Sequence, residues 1–147
     1  AHKDILRGRS YPTILTPHAG EFARIGGCLG QDPMTAARKL ALELGCIVLL
    51  KGHRSCITDG KMDYRNPTGN PGMAVGGSGD VLTGILTGLW AQGYTAHETA
   101  LLGTWLHATA GDFAAQHLGQ ESMLASDITR HLSMAFAEIR KLKQNTE

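Results

Sequence analysis

Short unbroken apolar runs alternate along the chain with longer stretches in which apolar residues recur every three or four positions. The first pattern predicts strands and the second predicts helices. Pro12-Thr13-Ile14-Leu15-Thr16-Pro17 is a short strand closed by proline. A short helix is expected over 21–25, stopped by Gly26-Gly27. Asp32-Pro33 joins a capping carboxylate to proline at a first helical position, and Ala36, Ala37, Leu40, Ala41 and Leu44 mark the apolar face of the helix that ends at Gly45. Cys46-Ile47-Val48-Leu49-Leu50 has the continuous apolar character of a strand buried on both faces. Strand, helix and strand in this order make a βαβ unit. A hairpin follows, with strands over 55–58 and 61–64 joined by an Asp59-Gly60 turn.

After a glycine-rich segment the period becomes helical. One helix is expected over 80–92, with Val81, Leu82, Ile85, Leu86 and Leu89 inward, and a second, rich in Ala and Leu, over 95–117. Ser126-Asp127 caps the last, which carries Ile128, Leu132, Phe136, Ile139 and Leu142 on one stripe and frays in the closing KLKQNTE. No repeat, low-complexity tract or linker interrupts this order, so residues 1–147 are read as a single α/β domain.

Composition narrows the function classes. A chain of 147 residues with 42% hydrophobic and 18% charged residues can bury a core. A formal charge of +1 argues against a broad nucleic-acid surface. No apolar run reaches membrane-span length and no signal peptide is visible, which points away from a membrane. Cys28, Cys46 and Cys56 are scattered without metal-ligand spacing, as reduced thiols of a cytoplasmic protein would be. His107, His117 and His131 also lack metal spacing and read as structural or surface residues.

The anomaly is 19 glycines, concentrated between Gly69 and Gly93. Gly76-Gly77-Ser78-Gly79-Asp80 stands directly before an amphipathic helix, where exposed backbone N–H groups and the positive end of the helix favour an anion. It is neither a Walker loop nor the spaced dinucleotide fingerprint. Two readings stand side by side. Ser78 could cap the helix, with Asp80 a favourable first-turn acid. Alternatively Gly77, Ser78 and Gly79 hold a phosphoryl group while Asp80 accepts a proton from a substrate hydroxyl. The long approach from Thr68 to Ala74, which no cap needs, favours the second. Lys51-Gly52-His53-Arg54-Ser55 after a buried strand reads as a solvated hairpin entry or as a basic grip on a nucleotide. His18 reads as a loop residue or a ligand contact, and Glu21 as a first-turn acid.

TPHAGE (16–21), LLKG (49–52) and NPTGNPGMAVGGSGDVLTG (66–84), in that order, resemble the ADP-dependent NAD(P)H-hydrate dehydratases of the ribokinase-like superfamily; GTWLHATAGD (103–112) and LASDI (124–128) are similar too. The resemblance implies a three-layer α/β/α sandwich of which this chain is the C-terminal part, with the N-terminal half of the family's domain outside it. It implies dehydration of (S)-NADHX or (S)-NADPHX to the reduced cofactor, through phosphorylation of the hydrate by ADP (or ATP) with Mg2+ and loss of phosphate. By motif position Asp80 is the catalytic acid/base at the substrate hydroxyl and Gly79 lies on the nucleotide phosphates. His18 contacts the hydrated nucleotide, Lys51 to Ser55 hold the adenine nucleotide, and Glu21 is associated with the metal. A homo-oligomer, a tetramer in this family, and an epimerase partner domain are expected as well. A small-molecule kinase of the same superfamily, or an inactive nucleotide-binding fragment, are the alternatives.

Overall fold

A computed structural model describes residues 3–30 and 32–144, so the last residues of the expected frayed end, 145–147, lie outside the described residues. Strand β1 (Ile14–Leu15) pairs in parallel with β2 (Ile47–Leu50), with Ile14 opposite Ile47 and Leu15 opposite Val48. Helices α1 (Ala19–Arg24) and α2 (Pro33–Leu44) connect them, completing the βαβ unit. Helix α2 starts as its sequence predicts: the Asp32 carboxylate accepts the N–H groups of Met34 and Thr35, with Pro33 in the first turn. Strands β3 (Cys56–Thr58) and β4 (Asp63–Arg65) add antiparallel, giving the order β1-β2-β3-β4.

Strand β2 is buried along its whole length because it is covered on both faces. Val48 and Leu50 point toward α2, where they pack with Phe22, Leu40 and Leu44. Ile47 and Leu49 point the other way, onto α3 (Ser78–Ala91) and α4 (Ala96–Leu118), against Leu82, Leu86 and Ala100. A third cluster joins α3 and α4 to α5 (Ala125–Gln144) through Leu89, Leu106, Ala110, Ile128 and Ala135. The result is helices on both faces of the sheet, the layering of the three-layer sandwich.

Several boundaries differ from expectation, α1 starting two residues early at Ala19 among them, and three have a clear physical reason. The hairpin loop spans four residues, since Thr58 pairs with Asp63. Asp59 wraps it by accepting the N–H groups of Lys61 and Met62, each at 2.8 Å, which a two-residue turn would not allow. Helix α3 begins at Ser78, two residues before the expected Asp80, because its cap is the backbone of Gly77 rather than a side chain. Helix α5 begins at Ala125, so Ser126 lies inside the first turn and does not cap; Asp127 instead reaches back to the Leu124 N–H at 3.0 Å. Phe136 and Leu142, expected on the buried stripe, are 40% and 52% exposed. Phe136 stands about 100° around the helix from Ala135, which takes the inward place, and the packed cluster ends at Ile139, short of Leu142.

Candidate active site

The parallel strands β1 and β2 end side by side, and the Lys51 N–H donates to the Pro17 carbonyl at 2.8 Å, tying together the two segments that leave their carboxyl ends. This is where α/β sheets hold ligands. A cavity of about 680 Å³ opens there. Of the residues singled out in the sequence, His18, Lys51, Gly52, His53, Ser55, Ser78 and Gly79 line it. Glu21, Arg54, Gly77 and Asp80 are not on its wall.

His18 caps α1. Its Nδ1 accepts the N–H groups of Gly20 (3.0 Å) and Glu21 (3.3 Å), so the ring proton sits on Nε2. The Glu21 carboxylate returns the favour by accepting the His18 N–H at 2.8 Å. That bond first, then the Lys51 ammonium 3.7 Å away, His18 and Arg24 hold the Glu21 carboxyl below its ordinary value against the opposing effect of desolvation. The aliphatic stem of Lys51 carries its ammonium to the start of α3, where a Cβ added to Gly79 would come within 3.2 Å of Nζ. Of the two sequence readings of Lys51, this placement suits the basic grip on a nucleotide better than the solvated hairpin entry.

The four helices with an acid in the first turn show what is special about Asp80. In α1, α4 and α5 the acid caps its own helix, Glu21 to the His18 N–H, Glu98 to the Thr95 N–H and Asp127 to the Leu124 N–H. In α3 the cap is Gly77, at φ 88 in the left-handed region, and no side chain bonds the helix start. Asp80 is exposed, and among the described residues no hydrogen bond or ion pair engages its carboxylate. The Ser78 and Asp80 N–H groups donate to the Val75 and Gly77 carbonyls at 3.3 and 3.1 Å, so among the described residues the first turn of α3 keeps the Gly79 N–H free, and its acid keeps free lone pairs.

Sequence reasoning set His107 aside as a structural or surface residue and gave Asn66 and Asp112 no individual role. His107 is buried in the cavity wall, and its Nε2 lies 3.0 Å from the Ser78 carbonyl and 3.3 Å from the Ser78 hydroxyl. A carbonyl only accepts, so Nε2 carries the proton and the Ser78 hydroxyl proton is left for another acceptor. Burial pushes the His107 pKa down to about 4, with the Lys51 charge adding to it against the Ser78 carbonyl bond. Asn66 is buried and donates to the Thr68 carbonyl at 3.0 Å. Spacing did not mark His107 and Asp112, which stand five positions apart on α4 and do not share a helix face.

Cys46 and Cys56 are buried, and burial raises both thiols, Cys46 to about 11, leaving no activated nucleophile there. Among the described residues no group of three or more His, Cys, Asp or Glu side chains could hold a metal ion. Glu21 is a single carboxylate at the cavity's edge of α1, a donor set that suits magnesium carried in on nucleotide phosphates rather than an all-protein site.

Residues 1–134 match the NAD(P)H-hydrate dehydratase family. The bifunctional NAD(P)H-hydrate repair enzyme Nnr of Moorella thermoacetica is 45% identical over 149 aligned positions, covering 97% of this chain and 27% of that protein. The ADP-dependent (S)-NAD(P)H-hydrate dehydratase of Neisseria meningitidis serogroup B is 40% identical over 121 positions, covering 78% of this chain and 41% of that protein. Among solved structures, the ADP/ATP-dependent NAD(P)H-hydrate dehydratase from Bacillus subtilis, co-crystallised with ATP/Mg2+, superposes with a TM-score of 0.81 at 29% identity, over 90% of this chain and 52% of that one. The chain thus spans between about a quarter and two fifths of the length of these curated relatives.

Proposed function

Since the chain belongs to the NAD(P)H-hydrate dehydratase family, we propose that its cavity takes an adenine nucleotide and a hydrated nicotinamide nucleotide, and that it serves the ADP-dependent dehydration of (S)-NADHX and (S)-NADPHX. The observation that carries this reading is Asp80, the first-turn acid that caps nothing, beside the free Gly79 N–H and the Lys51 ammonium. The hydrate's hydroxyl oxygen attacks the terminal phosphorus of ADP and AMP leaves. Asp80 takes the hydroxyl proton as the O–P bond forms. The Gly79 N–H, the Ser78 hydroxyl and Lys51 hold the phosphoryl oxygens during transfer. Phosphate then departs with the C–O bonding electrons, the neighbouring ring carbon gives up a proton to water, and the C–H electron pair forms the ring double bond. Magnesium bound on the nucleotide would neutralise phosphate charge, and Glu21 is the residue here that would hold it.

ADP as donor follows the name of the Neisseria relative, and an epimerase partner domain follows the bifunctional name of the Moorella relative. A cytoplasmic location suits three free cysteines. Homo-oligomerisation rests on the family resemblance and is read by light scattering.

The deciding comparison is Asp80→Asn against wild type, with calorimetric binding of Mg-ADP and the return of reduced-nicotinamide absorbance from hydrated NADH. Binding should survive within a few-fold while turnover falls roughly 100- to 10,000-fold. Unchanged turnover in the variant sinks the role of Asp80. A stable phosphorylated product in place of NADH would identify a kinase instead.

A further inference from the structure

Asp112 lies on α4, half-buried and off the cavity wall, and both of its oxygens are spent on the glycine segment. Oδ2 accepts the Gly69 N–H at 2.9 Å, and Oδ1 accepts the Asn70 side-chain N–H at 2.8 Å. Asn70 in turn accepts the Gly72 N–H at 3.1 Å through its own Oδ1, starting the tight helical turn Pro71–Met73. The segment lies directly against the helical layer. A Cβ on Gly72 would fall 2.6 Å from the Gln120 carbonyl oxygen, and one on Gly111 would fall 2.4 Å from Met73 Sδ. Gly69, at φ 108, makes the turn that brings its N–H onto the carboxylate.

These close contacts set how near the segment approaches α4, but van der Waals contact between small groups is non-directional and does not fix where along the helix it sits. A two-pronged carboxylate does. No cation pairs with Asp112 among the described residues, so a half-buried charge is held by neutral donors only. An apolar residue would pack the helix at lower cost.

We propose that Asp112 is a positioning residue: gripping Gly69 and Asn70, it holds residues 68–75 as the cavity wall at the spacing an adenine nucleotide needs. The choice of ligand rests on the functional reading above; the clamp does not.

The test exchanges donor and acceptor. Asp112→Ala removes both bonds. Asp112→Asn keeps the Gly69 bond but sets two amide N–H groups face to face, unless Asn70 turns over and releases Gly72. Asp112→Asn with Asn70→Asp restores every bond with the roles reversed. Mg-ADP affinity is measured by calorimetry at a temperature where all variants are folded, and amide hydrogen exchange is followed over 69–75. Asp112→Ala should weaken ADP by about ten-fold or more and speed exchange, because the competent wall is populated for less of the time. Exchange is the readout for the double variant, because residue 70 lines the cavity and a carboxylate there faces the nucleotide; it should return to within about three-fold of wild type, which a merely structural role would not predict. If Asp112→Ala does not fold, the single Asn variant against the double one gives the same comparison by exchange. Wild-type affinity and exchange in a folded Asp112→Ala overturn the proposal, as does a double variant that exchanges no more slowly than Asp112→Asn. Should the wild type not bind ADP, the nucleotide reading fails, and exchange alone decides the clamp: unchanged rates in Asp112→Ala overturn it, and rates restored by the double variant uphold it.

Discussion

At the scale of single residues the site is a matter of which lone pairs and protons are already used. Asp80 stood out as a candidate in sequence because it follows successive glycines at the start of a helix. His107 was not, because its partner Ser78 is 29 positions away and only packing brings them together. The same limit hid the contact between His117 and His131, whose nitrogens lie 2.9 Å apart across α4 and α5. His107 has a consequence for pH. In the unfolded chain it takes a proton below an ordinary pKa of 6.5, whereas in the folded chain it resists until about 4. The unfolded state therefore binds more protons between these values. The stability that neutral His107 contributes is complete above pH 6.5 and is lost as pH falls toward 4. Urea unfolding at both ends of that window should show wild type losing about 3 kcal/mol more than His107→Gln. Equal losses would mean that the imidazole is solvated.

At the scale of elements, the strands and α2 were legible because burial on two faces and a side-chain cap both write themselves into residue type. The start of α3 was not. Its cap is a backbone conformation, Gly77 at φ 88, and nothing in the side chains marks it. A Cβ there would stand 3.2 Å from the Ala125 methyl, which compounds the strain of the left-handed backbone. Gly77→Ala should destabilise the fold by about 1–2 kcal/mol and loosen Mg-ADP, both read on the same preparation by urea unfolding and calorimetry. Tight ADP binding in that variant would show that the left-handed cap is not what presents the phosphate-binding Gly79 N–H. The four-residue hairpin loop escaped the sequence reading for a related reason. Asp59-Gly60 is a genuine turn signal, but the Asp59 carboxylate collects two N–H groups further on and delays the return strand.

At the scale of the whole molecule, the three apolar clusters are strung in series. The cluster under α2 and the cluster between α4 and α5 face opposite ways, and the sheet-facing cluster of Ile47, Leu49, Leu82 and Ala100 lies between them. The layer order was readable from the βαβ pattern and the helical run that follows. The cavity was not, because its wall is assembled from residue 18, residues 51–55, the segment 66–79 and residues 104–108, whose convergence belongs to tertiary structure. A ligand filling it touches segments from every layer. With Mg-ADP at about a hundred times its dissociation constant, linkage predicts about 2.7 kcal/mol of added stability. At roughly 2–4 °C per kcal/mol for a chain of this size, the melting temperature should rise by about 5–10 °C. No shift at that concentration would mean that the folded chain does not bind the nucleotide in preference to the unfolded one. Among the described residues the central cluster stands between the two outer ones, and without ligand α2 and α5 should open as separate units with their own exchange rates. A bound nucleotide lies beside that central cluster as a second rivet. The sharpness of unfolding, and not only its midpoint, then becomes a property of the occupied site.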